Sequence, residues 1–343
     1  MSGPLRAAHD ELLVHTGQHY DDELSAIFVR ELAVPQPDIE LHLGGGSNTH
    51  QTARMLGAIG ELLHDEAPDA VLVYGDTNST LAGALAAAQA AIPVAHVEAG
   101  MRSFDRAMPE ELNRVLTDHA SDLLLAPSRV AAQNLVRERV AGAVEVVGDV
   151  MVDVARVLAP RARADDAPLA DAGVVGGEYV LATAHRAGTV DDPQRLERLV
   201  ELLLSVELPV VLPLHPRTRS RLEAGGLLAR LQAGTIVLPP LGYLAFTSLL
   251  TRARAVLTDS GGIQKEAYLA GVPCVTLRNT TEWVETVDAG WNVLVDLDAG
   301  AARAALERAA GAPPAERPEL YGDGHAADRV VSALADHLGS QAQ

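Results

Sequence analysis

Short apolar runs alternate along the chain with longer stretches in which apolar residues recur at helical spacing. This alternation predicts parallel strands joined by helices, and therefore a doubly wound α/β fold. The predicted strands occupy residues 11–16, 38–46 (a short strand and a glycine turn), 71–74, 94–97, 123–126, 144–147, 179–183, 209–214, 235–238, 255–258 and 274–277. The main predicted helices occupy residues 22–32, 49–66, 80–91, 109–120, 128–139, 193–204, 220–232, 243–252, 263–270 and 328–338.

The order of these elements predicts two domains of the same type. At residues 158–171 the composition shifts to Ala, Arg, Asp and Pro, which we interpret as the crossing between the domains. We therefore expect one Rossmann-like domain at residues 1–157, rejoined by a C-terminal helix at residues 328–343, and a second at residues 158–327. The two doubly wound domains are expected to face each other across a cleft.

Two acidic residues follow consecutive predicted strands in the first half of the chain. Asp76 lies just past the strand at residues 71–74, and Glu98 directly follows the strand at residues 94–97. A strand, a helix and a strand over this length form a right-handed unit with parallel strands, roughly 5 Å apart if they are direct neighbours. We therefore expect both acids at the carboxyl edge of one sheet, where such folds bind ligands. A third acid, Glu110, follows Pro109 in the first turn of the next helix.

Each acid also has an ordinary structural explanation. Asp76 could cap the following helix, Glu98 could bind backbone amides, and Glu110 could complement a helix dipole or pair with Arg114. Three acids brought to one cleft are better explained by catalysis. Neighbouring carboxylates cannot all ionise cheaply, so their pKa values separate and supply an acid and a base at the same pH.

The helix predicted at residues 109–120 carries an apolar stripe on one face, formed by Leu112, Val115, Leu116 and Ala120.

The second half of the chain offers a candidate phosphate site. A predicted strand ends at Thr258 and is followed by Ser260, Gly261 and Gly262 at the start of a helix. Exposed N–H groups and the helix dipole favour a phosphate at such a point, although an ordinary capped helix has the same pattern. Glu266, one turn on, could accept hydrogen bonds from both hydroxyls of a ribose.

Basic and imidazole side chains follow two other predicted strands of the second half. His185 and Arg186 follow the strand at residues 179–183, and His215 and Arg217 follow the strand at residues 209–214. These residues should lie at the same sheet edge as the Ser-Gly-Gly turn. This convergence favours a nucleotide site over isolated structural histidines.

Composition and absent motifs exclude several classes of function. The 343 residues carry a net charge of −19, which argues against nucleic acid and anionic membranes as partners. Cys274 is the only cysteine, no run is apolar and long enough to span a bilayer, and no signal peptide opens the chain, so we expect a cytoplasmic protein. No G-x-G-x-x-G follows a strand and no G-x-S-x-G occurs, which disfavours NAD and a serine hydrolase. His96, Glu98 and Asp76 lack the spacing of a metal site, so no metal and no cofactor are expected.

Blocks of residues spread over nearly the whole chain resemble the non-hydrolysing UDP-N-acetylglucosamine 2-epimerases. They include YGDTNSTLAGALAA at 74–87, HVEAGMRSFDRAMPEELNRVLTDH at 96–119, TAHRAGT at 183–189, LPLHPRT at 212–218 and LTDSGGIQKEA at 257–267. The resemblance implies the two-domain glycosyltransferase-B fold, usually as a homodimer. It also implies conversion of UDP-N-acetylglucosamine (UDP-GlcNAc) to UDP-N-acetylmannosamine (UDP-ManNAc) through elimination of UDP, a 2-acetamidoglucal intermediate and re-addition of UDP.

The resemblance also implies a role for individual residues. The matching catalytic positions are Asp76, Glu98, Glu110 and His185, the last near the diphosphate. The matching UDP-binding positions are Ser260, Gly261, Gly262, Glu266 at the ribose, Phe246 at the uracil and Arg278. Family members can bind a second UDP-GlcNAc as activator, and the positions near such a site are Gln18, Gln51, Arg186 and His215.

Two departures from the family pattern change these expectations. The chain begins just after the family's first strand and its G-[TA]-R-P-x-x-x-K loop, so we expect about 15–20 residues to be missing and the chain as given to fold poorly or be inactive. Trp283 stands where many UDP-GlcNAc epimerases have Arg. The T-E-W-V-E form also occurs in enzymes resembling the 2-epimerases of UDP-2,3-diacetamido-2,3-dideoxy-glucuronate, which leaves that sugar open as the substrate.

Three rival functions stay open from the sequence. A glycosyltransferase of the same fold would need an acceptor site and usually fewer acids. A hydrolysing epimerase would release free N-acetylmannosamine and UDP. A UDP-sugar binder without activity is the third alternative, suggested by the absent N-terminal loop.

Overall fold

The computed structural model describes residues 1–18, 35–311, 314 and 316–341. The chain divides into two compact units. The first contains Met1–Val154 and Glu319–Gln343, and the second contains Ala155–Pro318. The first unit thus resumes at Glu319, nine residues before the predicted start of the returning segment at residue 328. The predicted helix at residues 22–32 lies outside the described residues.

Two parallel sheets build the first unit. Strands β1 (Val14–His15) and β2 (Ile39–Glu40) pair with each other, and a four-stranded sheet has the order β3-β4-β5-β6. The four strands are β3 (Val71–Tyr74), β4 (Val94–Val97), β5 (Leu123–Ala126) and β6 (Ala143–Val146). The helices are α1 (Ser2–Ala8), α2 (Asn48–Glu66), α3 (Asn78–Gln89), α4 (Pro109–Ala120), α5 (Arg129–Glu138), the first part of α6 (Val150–Ala164) and α16 (Ala326–Gln341).

Apolar side chains cover the four-stranded sheet. One core cluster joins Ala95 and Val97 of β4 to Val330 and Leu334 of the C-terminal helix α16. Another joins Val94 of β4 to residues of α2 and α3, including Met55, Ile59, Leu63 and Ala82. Because β4 contributes side chains to both clusters, it is buried throughout, as a central parallel strand should be.

A six-stranded parallel sheet forms the centre of the second unit, in the order β12-β11-β10-β7-β8-β9. The strands are β7 (Val180–Thr183), β8 (Val210–Pro213), β9 (Ile236–Leu238), β10 (Ala255–Thr258), β11 (Cys274–Thr276) and β12 (Asn292–Leu294). The helices are the rest of α6, α7 (Ala167–Ala172), α8 (Ala187–Val190), α9 (Pro193–Leu204), α10 (Pro216–Ala224), α11 (Leu228–Gly234), α12 (Tyr243–Leu250), α13 (Gly261–Ala270), α14 (Val284–Asp288) and α15 (Ala299–Gly311).

The strand order of this sheet reverses between β7 and β10. The chain runs outward from β7 through β8 to β9, then returns to β10 and runs outward on the other side. Such a reversal opens a crevice at the carboxyl ends of the two strands, where doubly wound folds bind ligands. Both faces of the sheet are covered: Val180 and Ala182 belong to one core cluster and Leu181 belongs to the other.

Most predicted strands are confirmed, and the helix predicted at residues 220–232 is divided into α10 and α11. The strand predicted at residues 11–16 is reduced to Val14–His15. The segment at residues 158–171, predicted as the crossing, is mostly helical: it belongs to α6, with Pro160 inside, and to α7. Its Ala and Arg residues are good helix formers, and Pro168 stands in the first turn of α7, where proline is tolerated. Nowhere in the described ranges is a helix both long enough and apolar enough to cross a bilayer.

Candidate active site

The structure brings Asp76 and Glu98 to one edge of the first unit's sheet. Strands β3 and β4 are direct parallel neighbours, with Tyr74 opposite Val97, as the sequence predicted. Asp76 follows β3 after Gly75, and Glu98 directly follows β4. A Cβ atom placed on Gly75 would lie 3.4 Å from Oε2 of Glu98, so the Glu98 carboxylate reaches back to the turn that carries Asp76.

The backbone of Glu98 adopts a left-handed conformation with φ of +68°. Such a conformation is uncommon for a residue with a side chain and costs on the order of 1 kcal/mol or more. Outliers of this kind cluster at functional sites, where the surrounding structure holds them in place. The conformation therefore marks Glu98 as a residue whose direction is imposed by its neighbours.

The three predicted acids share one electrostatic environment. Burial raises the pKa of the Asp76 carboxyl, Arg114 lowers it, and the charges of Glu98 and Glu110 raise it further. The net result is a pKa above the ordinary value of 3.8. The charges of both other acids therefore act on Asp76, although Glu110 comes from a different element, the first turn of α4.

Arg114 holds Asp76 directly. Its Nε and Nη2 atoms lie 2.9 and 2.6 Å from Oδ2 of Asp76, and its Nη1 lies 3.0 Å from Oε2 of Glu111. The guanidinium is almost fully buried, with 4% of the side chain exposed. From the sequence, Arg114 was expected only as a partner of Glu110, and its bond to Asp76 was not predicted. The sequence feature that could have indicated a contact with an acid was the position of Arg114, one helical turn after the acids that begin the helix.

The apolar stripe of α4 is not its buried face. Leu112 and Leu116 are 46% and 40% exposed, whereas the buried residues of the helix are Glu111, Asn113, Arg114, Thr117 and Asp118. The buried face is polar because its side chains bind the turns that carry the acids. The Glu111 carboxylate, for example, accepts hydrogen bonds from the backbone N–H groups of Ser103 and Phe104.

A chain of side-chain amides ends on the backbone of Asp76. Asn113 Nδ2 donates to the carbonyl oxygen of Asp76 at 3.0 Å and to Asn78 Oδ1 at 3.2 Å. Asn78 Nδ2 in turn donates to Oε1 of Gln51 at 2.6 Å. Gln18 lies close by, since its Oε1 accepts from the N–H of Ser79 at 2.9 Å. Gln18 and Gln51 therefore both bind the first turn of α3, which follows Asp76.

In the second unit, the predicted basic residues lie at the reversal of strand order. His185 and Arg186 follow β7, and their N–H groups donate to the buried carboxylate of Asp259, which follows β10, at 2.9–3.2 Å. Asp259 therefore ties the loop after β7 to the Ser-Gly-Gly turn. The sequence analysis did not single out Asp259, although the reasoning from strand ends that found Asp76 applies to it equally.

The ring centroids of His185 and His215 are 5.3 Å apart. Nδ1 of His215 lies 3.1 Å from the N–H of Arg217 and accepts its hydrogen bond, so this nitrogen carries no proton. The structure thus places these two predicted site residues side by side at the ends of β7 and β8.

The Ser-Gly-Gly turn starts helix α13, with Ser260 as its N-cap. A Cβ atom on Gly261 would overlap the carboxylate of Glu282, whereas no atom lies within 4 Å of a Cβ on Gly262. Gly261 is therefore required by the protein itself. Gly262 is exposed and open, which leaves its backbone accessible to a ligand.

Two further residues predicted to bind UDP, Arg278 and Phe246, contact other parts of the protein. Arg278 is buried, and its Nη1 donates to Oε2 of Glu282 at 3.1 Å. Nη2 of Arg186 lies 3.9 Å from the other oxygen of Glu282. Phe246 packs beside a core cluster of the second unit. Glu282 thus joins two arginines next to Gly261, a role that the sequence analysis did not find.

Trp283 is enclosed, and Glu266 is partly buried. Burial raises the pKa of Glu266 from 4.5 to about 7, and the charge of Lys265 lowers it only in part. Nζ of Lys265 lies 4.4 Å from the centroid of the Trp283 ring, a cation–π geometry. Trp283 is 5% exposed, so the indole is a fixed part of the wall beside α13.

Known proteins match this chain over nearly its whole length. A sequence model of the family described as UDP-N-acetylglucosamine 2-epimerase matches residues 5–335. The UDP-2,3-diacetamido-2,3-dideoxy-D-glucuronate 2-epimerase of Pseudomonas aeruginosa is 49% identical over 335 residues, covering 95% of this chain and 91% of the relative. A UDP-N-acetylglucosamine 2-epimerase homolog of Methanococcus maripaludis is 44% identical, covering 97% and 94%.

A solved structure matches as well. The crystal structure of Methanocaldococcus jannaschii UDP-GlcNAc 2-epimerase in complex with UDP-GlcNAc and UDP gives a TM-score of 0.91 at 40% identity, covering 97% of this chain and 94% of that one. The match confirms the predicted fold class, α/β with two Rossmann-like units of the glycosyltransferase-B type.

Proposed function

The chain belongs to the UDP-N-acetylglucosamine 2-epimerase family and is an enzyme that epimerises UDP-sugars, and we propose that it inverts C2 of a UDP-2-acetamido sugar by eliminating UDP and adding it back. UDP-GlcNAc and UDP-ManNAc are the proposed pair. The observation that carries the proposal is the pairing of β3 with β4, which brings Asp76 and Glu98 to one sheet edge. Burial raises the pKa of Asp76, and the charges of Glu98 and Glu110 raise it further.

The reaction needs two proton-transfer groups at C2. A base removes the C2 proton while the bond from C1 to the UDP oxygen breaks, which leaves a double bond between C1 and C2. UDP then adds back to C1, and an acid delivers a proton to the opposite face of C2. Carboxyl groups with separated pKa values can supply the base and the acid at one pH. We assign these transfers to Asp76, Glu98 and Glu110.

Departing UDP needs stabilisation of its diphosphate. We assign this role to the turn at Ser260, Gly261 and Gly262, with His185 and Arg278 beside it, because the N-terminus of a ten-residue helix favours an anion. In the same proposal, Glu266 receives the ribose hydroxyls and Phe246 contacts the uracil. His185 is held toward this turn by the bond between its N–H and Asp259.

A second candidate substrate is UDP-2,3-diacetamido-2,3-dideoxy-glucuronate. It is favoured by the 49% identity to the Pseudomonas aeruginosa enzyme named for that sugar and by Trp283 in the T-E-W-V-E run. The two candidates share the chemistry at C1 and C2 and differ only at C3 and C6 of the sugar. The ratio of their kcat/KM values therefore decides between them.

The test is to incubate the enzyme with each UDP-sugar alone and to follow the products by NMR. The proposal predicts an equilibrium mixture of the two UDP-linked C2 epimers. Free N-acetylmannosamine with UDP would identify a hydrolysing enzyme. Tight UDP binding without turnover would identify a binding protein, and turnover only after an acceptor is added would identify a transferase.

Assembly, location and regulation complete the proposal. We propose that the protein is a cytoplasmic homodimer. The cytoplasmic location is proposed because Cys274, the lone cysteine, is a buried thiol. Light scattering of the purified protein tests the dimer.

We also propose that Gln18, Gln51, Arg186 and His215 contribute to a site for a second UDP-sugar. A sigmoidal dependence of rate on UDP-GlcNAc concentration supports this site, and a hyperbolic dependence contradicts it.

A further inference from the structure

A buried histidine lies directly behind the acidic cluster. His96 is the third residue of β4 and has none of its surface exposed. Its Nε2 lies 2.8 Å from the carbonyl oxygen of Gly75, the residue before Asp76. A carbonyl oxygen can only accept a hydrogen bond, so Nε2 must carry a proton and donate it.

The other ring nitrogen also faces an acceptor. Nδ1 of His96 lies 2.7 Å from Oδ1 of Asp118. The second oxygen of Asp118 accepts from the N–H of Gly100 at 3.1 Å and lies 2.7 Å from Nη2 of Arg102. Burial raises the pKa of Asp118, but His96 and Arg102 lower it to below its ordinary value, so Asp118 is a carboxylate. With acceptors on both sides, the ring donates from both nitrogens.

The surrounding charges balance such a ring. Arg102 pairs with Glu138 as well as with Asp118. Its two bonds to the Glu138 carboxylate are 2.8 and 2.6 Å long. Among the described residues, His96 and Arg102 are thus paired with the anions Asp118 and Glu138, and Nε2 of His119 also lies 4.0 Å from Oε2 of Glu138. A buried charge is tolerated when it is paired and hydrogen-bonded in this way.

We propose that His96 is a buried imidazolium that positions the catalytic acids of the reaction proposed above. Through its bond to the carbonyl oxygen of Gly75 it restrains the turn that carries Asp76. Glu98 follows His96 by two residues, directly after the end of β4, so one ring restrains the backbone beside both acids. The positive charge of His96 lies behind the catalytic acids, which repel one another, and this charge favours the ionised form of the acid that acts as the base. His96 acts through these residues and does not itself touch the sugar.

Two substitutions separate position from charge. The amide nitrogen of glutamine can occupy the place of Nε2, so His96→Gln keeps the donor to Gly75 and removes the charge. The amide nitrogen of asparagine can occupy the place of Nδ1, so His96→Asn keeps the donor to Asp118 and loses the bond to Gly75. The matched control is Thr117→Val, because Thr117 is equally buried on α4 and its hydroxyl has no hydrogen-bond partner among the described residues.

The first measurement is steady-state kinetics over pH with folded variants, checked by circular dichroism. For His96→Asn we expect kcat to fall about 100-fold with KM changed less than about threefold, because the acids are displaced and UDP binding is not. For His96→Gln we expect a smaller loss of kcat and an acidic limb of the pH–rate profile moved to higher pH. Wild-type kcat in both variants, equal losses in both, or a loss confined to KM would overturn the proposal.

The second measurement does not depend on activity. ¹⁵N NMR of the wild-type imidazole, assigned by its absence from His96→Gln, should show both ring nitrogens protonated at pH 8. A neutral tautomer would overturn the proposal whatever the variants do to activity. If the wild-type enzyme turns over no UDP-sugar, the proposed function fails, and the NMR result still reports on His96 separately.

Discussion

Replacing Glu266 by glutamine should stabilise the second unit while weakening its binding of nucleotide. Burial raises the pKa of Glu266 from 4.5 to about 7. In the folded protein the group therefore keeps its proton up to about pH 7, whereas in the unfolded chain it loses the proton near pH 4.5. Unfolding releases a proton between these values, so the free energy of unfolding falls as the pH rises through this window.

The size of the effect follows from the same two values. A rise from 4.5 to about 7 corresponds to at most about 3 kcal/mol at pH 8, where the folded protein holds a buried carboxylate. Glutamine removes this cost, so Glu266→Gln should be more stable than wild type at pH 8 by about 1–3 kcal/mol. The difference should shrink to less than about 1 kcal/mol at pH 5. Urea unfolding of both proteins at the two pH values measures it.

Ligand binding should change in the opposite direction. If the carboxylate of Glu266 accepts from the ribose, wild-type affinity for a UDP-sugar should fall roughly tenfold from pH 8 to pH 6 as the group is protonated. The variant should bind more weakly at pH 8 and lose this pH dependence, which calorimetry with UDP-GlcNAc measures. A stability difference that does not vary with pH, or the same pH dependence of binding in both proteins, would refute the reasoning.

Four further substitutions test other parts of the account. Asp76→Asn should lower kcat by about 10³-fold with UDP binding retained, because it removes a proton-transfer group, and wild-type rates would count against the assignment. Gly261→Ala should destabilise the protein because its methyl group overlaps Glu282. Gly262→Ala should leave the unfolding midpoint unchanged and weaken UDP binding, and a destabilised Gly262→Ala would argue against an open position there. Asp153→Ala should cost about 1–2 kcal/mol in urea unfolding, because its carboxylate caps helix α16 through the N–H groups of the first two helical residues at 3.0 and 2.8 Å.

Exposed positions of matching chemistry provide controls for two of these changes. Asp69→Asn alters a carboxylate outside the site and should leave kcat unchanged. Asp328→Asn alters an exposed acid on α16 without removing the cap, and its unfolding midpoint should stay close to that of wild type. If Asp153→Ala also unfolds like wild type, the C-terminal helix does not depend on that cap.

The positions of the strand ends could be predicted because apolar runs and the residues after them are local features of the sequence. Asp76 and Glu98 were expected at one edge, and the pairing of β3 with β4 places them there. The Ser-Gly-Gly turn was found in the same way, because a strand, a short turn and a helix start are contiguous in sequence.

The supporting residues could not be found in this way because their roles depend on distant contacts. Arg114 binds Asp76 across 38 positions, and Asn113 binds the Asp76 carbonyl across 37. The apolar stripe of α4 gives the period of the helix but does not say which face is buried. Here the buried face is polar because it holds the turns of a site, and Leu112 and Leu116 remain outside.

The helical structure of the segment predicted as the crossing was missed for a related reason. Residues 158–171 are rich in charge and small side chains, which resembles a linker, but Ala and Arg also favour helix. Composition alone could not separate the two, and the segment lies in α6 and α7.

The central claim is that a carboxyl group removes the proton at C2 of a UDP-linked sugar and that a proton from solvent replaces it. The most direct test is incubation of the enzyme with UDP-GlcNAc alone in deuterium oxide, followed by ¹H NMR of both epimers. The account predicts deuterium at C2 of UDP-GlcNAc and of UDP-ManNAc, with UDP still attached at equilibrium. Epimers that keep the original hydrogen at C2 would contradict it.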